Sequence, residues 1–80
     1  MGREMDVYAK AASAFEVASK KAALIEAKLV DQNKKLVKTQ DREAQGKIIA
    51  AIDKLHKDIT KAHKEQTKAR ETMAKARDNL

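Results

Sequence analysis

The chain has 80 residues, 18 of them Lys or Arg against 12 Asp or Glu, for a formal net charge of +6, and it contains no cysteine, no proline and no tryptophan. That length allows one domain at most, and the missing cysteine removes disulfides, thiol nucleophiles and thiolate metal sites. No stretch approaches the roughly 20 apolar residues of a membrane span, and the first fifteen residues carry Arg3, Glu4, Asp6 and Lys10 with no continuous apolar run, unlike a secretory signal. The expectation is a soluble chain whose compartment the composition leaves unassigned.

The first predicted element is a helix over about residues 4–38. Tyr8, Phe15, Ala22, Leu29 and Leu36 recur every seven residues, and Ala11, Ala18, Ile25 and Gln32 come three after the first four. This is the heptad pattern of a helix that packs along one narrow stripe.

A turn is predicted over about residues 39–43. Extending the first heptad frame puts the next seam positions at 43 and 50, whereas the later frame needs 45 and 52. A slip of two residues at about 100° each turns the seam through roughly half a revolution. Coiled coils absorb insertions of three or four residues rather than two, so one continuous helix is the poorer reading. Asp41 is the candidate N-cap for the second helix.

That second predicted helix covers about residues 44–79, with Gly46 in its first turns, where a weak helix former costs little. Its seam is Ile48, Ile52, Leu55, Ile59, Ala62, Gln66, Ala69, Met73, Ala76 and Leu80, in steps of four and three. Paired with the first seam, these positions add to a constant 84: Leu36 with Ile48, Gln32 with Ile52, Leu29 with Leu55, Ile25 with Ile59, Ala22 with Ala62, Ala18 with Gln66, Phe15 with Ala69, Ala11 with Met73, Tyr8 with Ala76, Glu4 with Leu80. A constant sum means antiparallel halves. The predicted fold class is therefore all-α, an antiparallel two-helix coiled-coil hairpin, with dimerisation into a four-helix bundle open to it because so thin a core leaves a monomer marginal.

Charge placement supports that register. Lys28 is expected opposite Asp58, Lys21 opposite Glu65, and Glu26 opposite His56, each an exposed pairing worth a fraction of ~1 kcal/mol and useful mainly as a check on alignment. Within the second helix, Lys54 with Asp58, Lys61 with Glu65 and Glu71 with Lys75 have i,i+4 spacing.

From Lys47 onward lysine opens every heptad, at 47, 54, 61, 68 and 75, and Lys57 and Lys64 interleave. Lys54, Lys57, Lys61, Lys64 and Lys68 thus form a basic stripe roughly opposite the seam. It is the candidate site for nucleic-acid backbone or another anionic surface, since clustered lysines release counterions from a polyphosphate without reading sequence. The flanking Asp53, Asp58, Glu65, Glu71 and Asp78 point instead to an ordinary solvated face, and that reading is preferred. Membrane insertion is not expected, because no bulky apolar residues accompany the stripe. A second candidate surface is apolar: Val30, Val37 and Ile49 lie outside the seam near the turn, with Val17 and Leu24 on the opposite flank of the first helix.

Nothing in the chain resembles catalytic machinery. His56 and His63 are two turns apart, about 10 Å along one helix, too far to chelate one metal together, and are expected as half-buried packing residues beside Glu26 and Ser19. The only glycines, Gly2 and Gly46, lie in no phosphate-binding pattern. Two packed helices offer no water-poor pocket for acid–base chemistry. Gln32 and Gln66, polar within the seam, are candidates for fixing register.

The expected function is a non-enzymatic structural or protein-interaction module that presents a coiled-coil hairpin surface to a protein partner such as a receptor or an assembly partner, with no cofactor. A homodimer is a further expectation. The alternative, from another class, is a nonspecific nucleic-acid or anionic-surface binder that uses the lysine stripe.

Overall fold

The computed structural model describes residues 2–79. Helix α1 runs Gly2–Lys38 and helix α2 runs Arg42–Asp78, and they pack antiparallel into a rod of 61 × 14 × 12 Å. Both helices begin two residues before their expected starts at 4 and 44. For α2 the reason is local: Asp41 is the N-cap, with extended backbone at φ −78°, ψ 126°, so the next residue is already helical.

The reversal takes only residues 39–41, with no glycine and no left-handed residue. Side chains satisfy the helix ends in place of a glycine C-cap. The Thr39 hydroxyl donates to the Lys35 carbonyl at 2.6 Å, and the Gln45 side-chain amide donates to the Thr39 carbonyl at 2.8 Å. On the other side the Asp41 carboxylate accepts from the Ala44 N–H at 3.3 Å, the usual N-cap bond to the third helical residue. Gly46 has an ordinary backbone and open space where a Cβ would sit, so no close approach requires glycine there.

The seam is where the heptads place it. Ala11, Ala18, Ala22, Ile59, Ala62, Ala69 and Ala76 are buried, and Ala22, Ile59 and Ala62 form one cluster against which Ile25 packs, bringing together two successive layers of the constant-sum pairing. All but one of the buried residues are alanine. Two helices with no third element can enclose only side chains that do not protrude from between them, so Phe15, Ile25, Leu29, Leu36, Ile48, Ile52, Leu55 and Met73 remain half-buried on the same stripe. Tyr8 is a partial departure from its layer: it is 36% exposed while its partner Ala76 is 5% exposed, because a long phenol opposite alanine runs out over the edge. Leu80, expected opposite Glu4, lies outside the described residues. No described helix is long and apolar enough to cross a membrane.

Candidate functional site

Lys54, Lys57, Lys61, Lys64 and Lys68 are all exposed. The i,i+4 pairs expected to neutralise them do not form. Among the described residues there are two ion pairs, Lys20 with Glu16 at 3.3 Å and Lys21 with Glu65 at 3.9 Å. Glu65 therefore turns across the seam to α1 instead of toward Lys61 on its own helix. Of the three expected cross-helix charge pairings, the Lys21–Glu65 contact is made. Lys28 and Asp58 line the same depressions without bonding, and Glu26 and His56 make no bond. Exposed partners gain little from closing the last ångströms against the entropy of two long side chains.

The stripe is not uniformly opposite the seam. Lys68, Lys61 and Lys54 each border one of three depressions that succeed one another along a single flank of the hairpin. The first, about 580 Å³, is floored by Val7, Ala11, Ala14, Val17 and Ala69, with Lys10 and Lys68 at its borders. It shares Glu65 with the second, about 330 Å³, which holds Leu24, Ile25 and Ala62 between Lys21, Lys28 and Lys61. The second shares Lys28 and Asp58 with the third, about 300 Å³, which reaches Lys54 and Ala51. The heptad explains this continuity, since Val7, Ala14, Lys21 and Lys28 flank the seam at seven-residue spacing, and the register sets Ala14, Lys21 and Lys28 opposite Thr72, Glu65 and Asp58 of α2. Lys57 and Lys64 stand off this flank.

The other flank is different in kind. Gln66 donates from its side-chain amide to the Ser19 hydroxyl at 3.0 Å, the one side-chain hydrogen bond between the helices among the described residues. Spacing alone marks Ser19 only as a neighbour of His63; the signal that could have found it is its position beside Ala18, within reach of a long amide on the facing helix. The Arg70 guanidinium lies 5.4 Å from the centroid of the Phe15 ring, a cation–π contact across the hairpin, and Arg70 and Arg77 surround Tyr8 and Met73 farther out. His56 and His63 prove exposed, not half-buried, because α1 is too narrow to cover positions beside the seam.

Of the apolar candidates near the turn, Val37 is 86% exposed, Val30 53% and Ile49 48%. Val30 and Val37 border one open depression together with Asn33, Lys34 and Lys38. Ile49 is not part of that lining, although the register sets it opposite Asn33. On the far flank Val17 is 54% and Leu24 65% exposed. The exposed candidates thus gather into two surfaces: one lysine-bordered flank and one apolar corner at the turn end.

Thr60, Thr67 and Thr72 donate their hydroxyls to the carbonyls four residues earlier on α2, which leaves these groups engaged by their own helix. No group of three or more His, Cys, Asp or Glu among the described residues is placed to hold a metal ion. No buried side-chain polar atom among them lacks a partner. Comparison of the chain with protein-family models, with curated proteins and with solved structures finds no match.

Proposed function

We propose that the hairpin is a non-enzymatic interaction module that presents its long helical surface to a protein partner. The observation that carries this reading is the exposure of branched aliphatic side chains outside the seam, above all Val37 at 86% and Leu24 at 65%, on a fold whose buried core is almost entirely alanine. Exposed aliphatics are common singly, but here they recur on both flanks of α1, and a two-helix rod has few other means of gaining buried area. Self-association is one form of such contact, and a melting temperature that rises with protein concentration would report it.

A test in cells that express the chain uses a photo-crosslinking residue at position 37. Discrete protein adducts, lost when Val30 is changed to Asp, support the reading. Adducts to nucleic acid alone refute it.

The second reading, a nonspecific polyanion binder, is favoured by the absence of ion pairs from the five stripe lysines among the described residues. Oligonucleotide binding measured across a salt series separates the two. The protein-module reading expects feeble association that vanishes near physiological salt, as a net charge of +6 alone provides. Tight binding that depends on Lys54, Lys57, Lys61, Lys64 and Lys68, and disappears when all five become Gln, favours the polyanion reading. Glutamine is a comparable helix former, so that variant keeps the hairpin.

A further inference from the structure

Resting on the protein-module reading, we infer that the lysine-bordered flank is a docking groove for one class of partner: an amphipathic helix whose apolar stripe is flanked by Asp or Glu at seven-residue spacing. Three features of the flank specify this occupant. Its depressions join end to end through shared Glu65, Lys28 and Asp58, so they form a track and not separate pits. Its apolar floor is Val7, Ala14, Val17 and Leu24 along α1, with Lys21 and Lys28 taking the heptad positions of Val7 and Ala14 in the second and third depressions. Its charged lining is mainly basic on both sides, with Lys10 and Lys28 from α1 and Lys54, Lys61 and Lys68 from α2, against the acids Asp31 and Asp58, while Lys21 and Glu65 pair with each other across the seam.

Spacing makes the match to a helix specific. Lys54, Lys61 and Lys68 repeat every seven residues, about 10 Å along the axis, and the run from the first to the last spans about 21 Å. A third helix laid in the groove with carboxylates at the same period would meet each ammonium in turn while its apolar stripe covers Val17 and Leu24. Such packing uses the helix-in-groove mode, in which apolar anchors supply affinity and the flanking charges set partner choice and orientation.

Other occupants fit less well. A second copy placed on this flank by a two-fold axis would set the same lysine columns against each other, with a charge of +6 on each chain. A polyphosphate would gain nothing from the apolar floor. The chain's single phenylalanine and single tyrosine, the available stacking surfaces, belong to the other flank, where Arg70 lies over Phe15 and Arg70 and Arg77 surround Tyr8.

The test uses the full chain and a synthetic probe of three heptads, with leucine at the two seam positions and glutamate at the positions flanking them. Isotope-labelled protein is titrated with this peptide, with the same peptide carrying glutamine for glutamate, and with a single-stranded oligonucleotide. The expected result is binding of the acidic peptide, with amide shifts centred on Val7, Ala14, Val17 and Leu24. The glutamine peptide should bind at least tenfold more weakly. Two protein variants, V17Q with L24Q and K54Q with K61Q and K68Q, should each weaken the acidic peptide about tenfold while far-UV circular dichroism stays unchanged, since all five positions are exposed. The inference is overturned if the acidic peptide does not bind, if the glutamine peptide binds equally well, or if shifts centre on Val30 and Val37. It is also overturned if the oligonucleotide binds more tightly and ignores V17Q and L24Q. Sedimentation and crosslinking from position 37 distinguish the two levels of failure: protein contacts at the turn corner with no peptide binding remove the groove assignment and leave the broader module reading intact.

Discussion

Ile59 and Ile49 are the same residue type ten positions apart on α2, and they test how the hairpin is held together. Ile59 is 9% exposed and packs with Ala22, Ile25 and Ala62, whereas Ile49 is 48% exposed. Changing isoleucine to alanine removes three carbons, each worth about 0.8 kcal/mol when fully buried. Nine-tenths of that is realised at position 59 and about half at position 49, which gives a loss of about 2 kcal/mol for Ile59→Ala and about 1 kcal/mol for Ile49→Ala. The narrow rod lets flanking side chains settle into the space left at position 59, so the cavity contribution stays toward the low end for such truncations. For a domain of this size 1 kcal/mol corresponds to roughly 4–8 °C. Thermal melts monitored by circular dichroism at 222 nm, at a concentration low enough to keep the chain monomeric, should therefore show Ile59→Ala melting at least 4 °C below Ile49→Ala. Equal losses, or a larger loss at position 49, would refute the seam as the source of stability. A loss at Ile49 that grows with protein concentration would instead report a self-association contact at the turn corner.

Cysteines replacing Ala22 and Ala62, two buried residues of one cluster, should oxidise to an intramolecular disulfide because facing alanines allow the short backbone separation that the bond requires; replacing Ala22 and Ala69 should not, since seven residues shift the second partner about 10 Å along the axis, and non-reducing electrophoresis reads both. Asp41→Ala removes the bond to the Ala44 N–H and should cost about 1 kcal/mol in denaturant melts, while Gly46→Ala, placed in open helical space, should gain about 0.5–1 kcal/mol. Gln66→Leu deletes the amide donor to Ser19 and should leave stability within about 1 kcal/mol, since an apolar residue replaces a half-buried polar one; the register should loosen, seen as off-register links between Ala22→Cys and cysteines at positions flanking Ala62. A sharp loss of stability in that last variant would show that the hydrogen bond stabilises the fold more than it selects the alignment.

Helix pairing was legible along the chain because a heptad is a local regularity: each seam residue declares its face by its spacing, and two frames two residues out of phase require a reversal between them. The same arithmetic identifies the layers that Ala22, Ile25, Ile59 and Ala62 form, and Asp41 is recognisable as a cap from its chemistry and place. Partner choice at the surface was not legible. The register rightly sets Lys21 across the seam from Glu65, but spacing offers Lys61 on the same helix equally, and only the structure shows that Glu65 takes Lys21; Gln66 reaches past Ala18 to Ser19; His56 and His63 stay exposed. These outcomes depend on rotamers and on how far a neighbouring helix extends over the edge of the seam, differences on the order of 1 kcal/mol or less for exposed pairs, which residue spacing does not encode. The lysine-bordered track is of the same kind: one half of its border is a column readable in α2, but its other border comes from α1 and its floor from both helices. Only folding the two helices together puts Val17 and Leu24 beside Lys61 and Lys68, because the groove exists between the helices and on neither one alone.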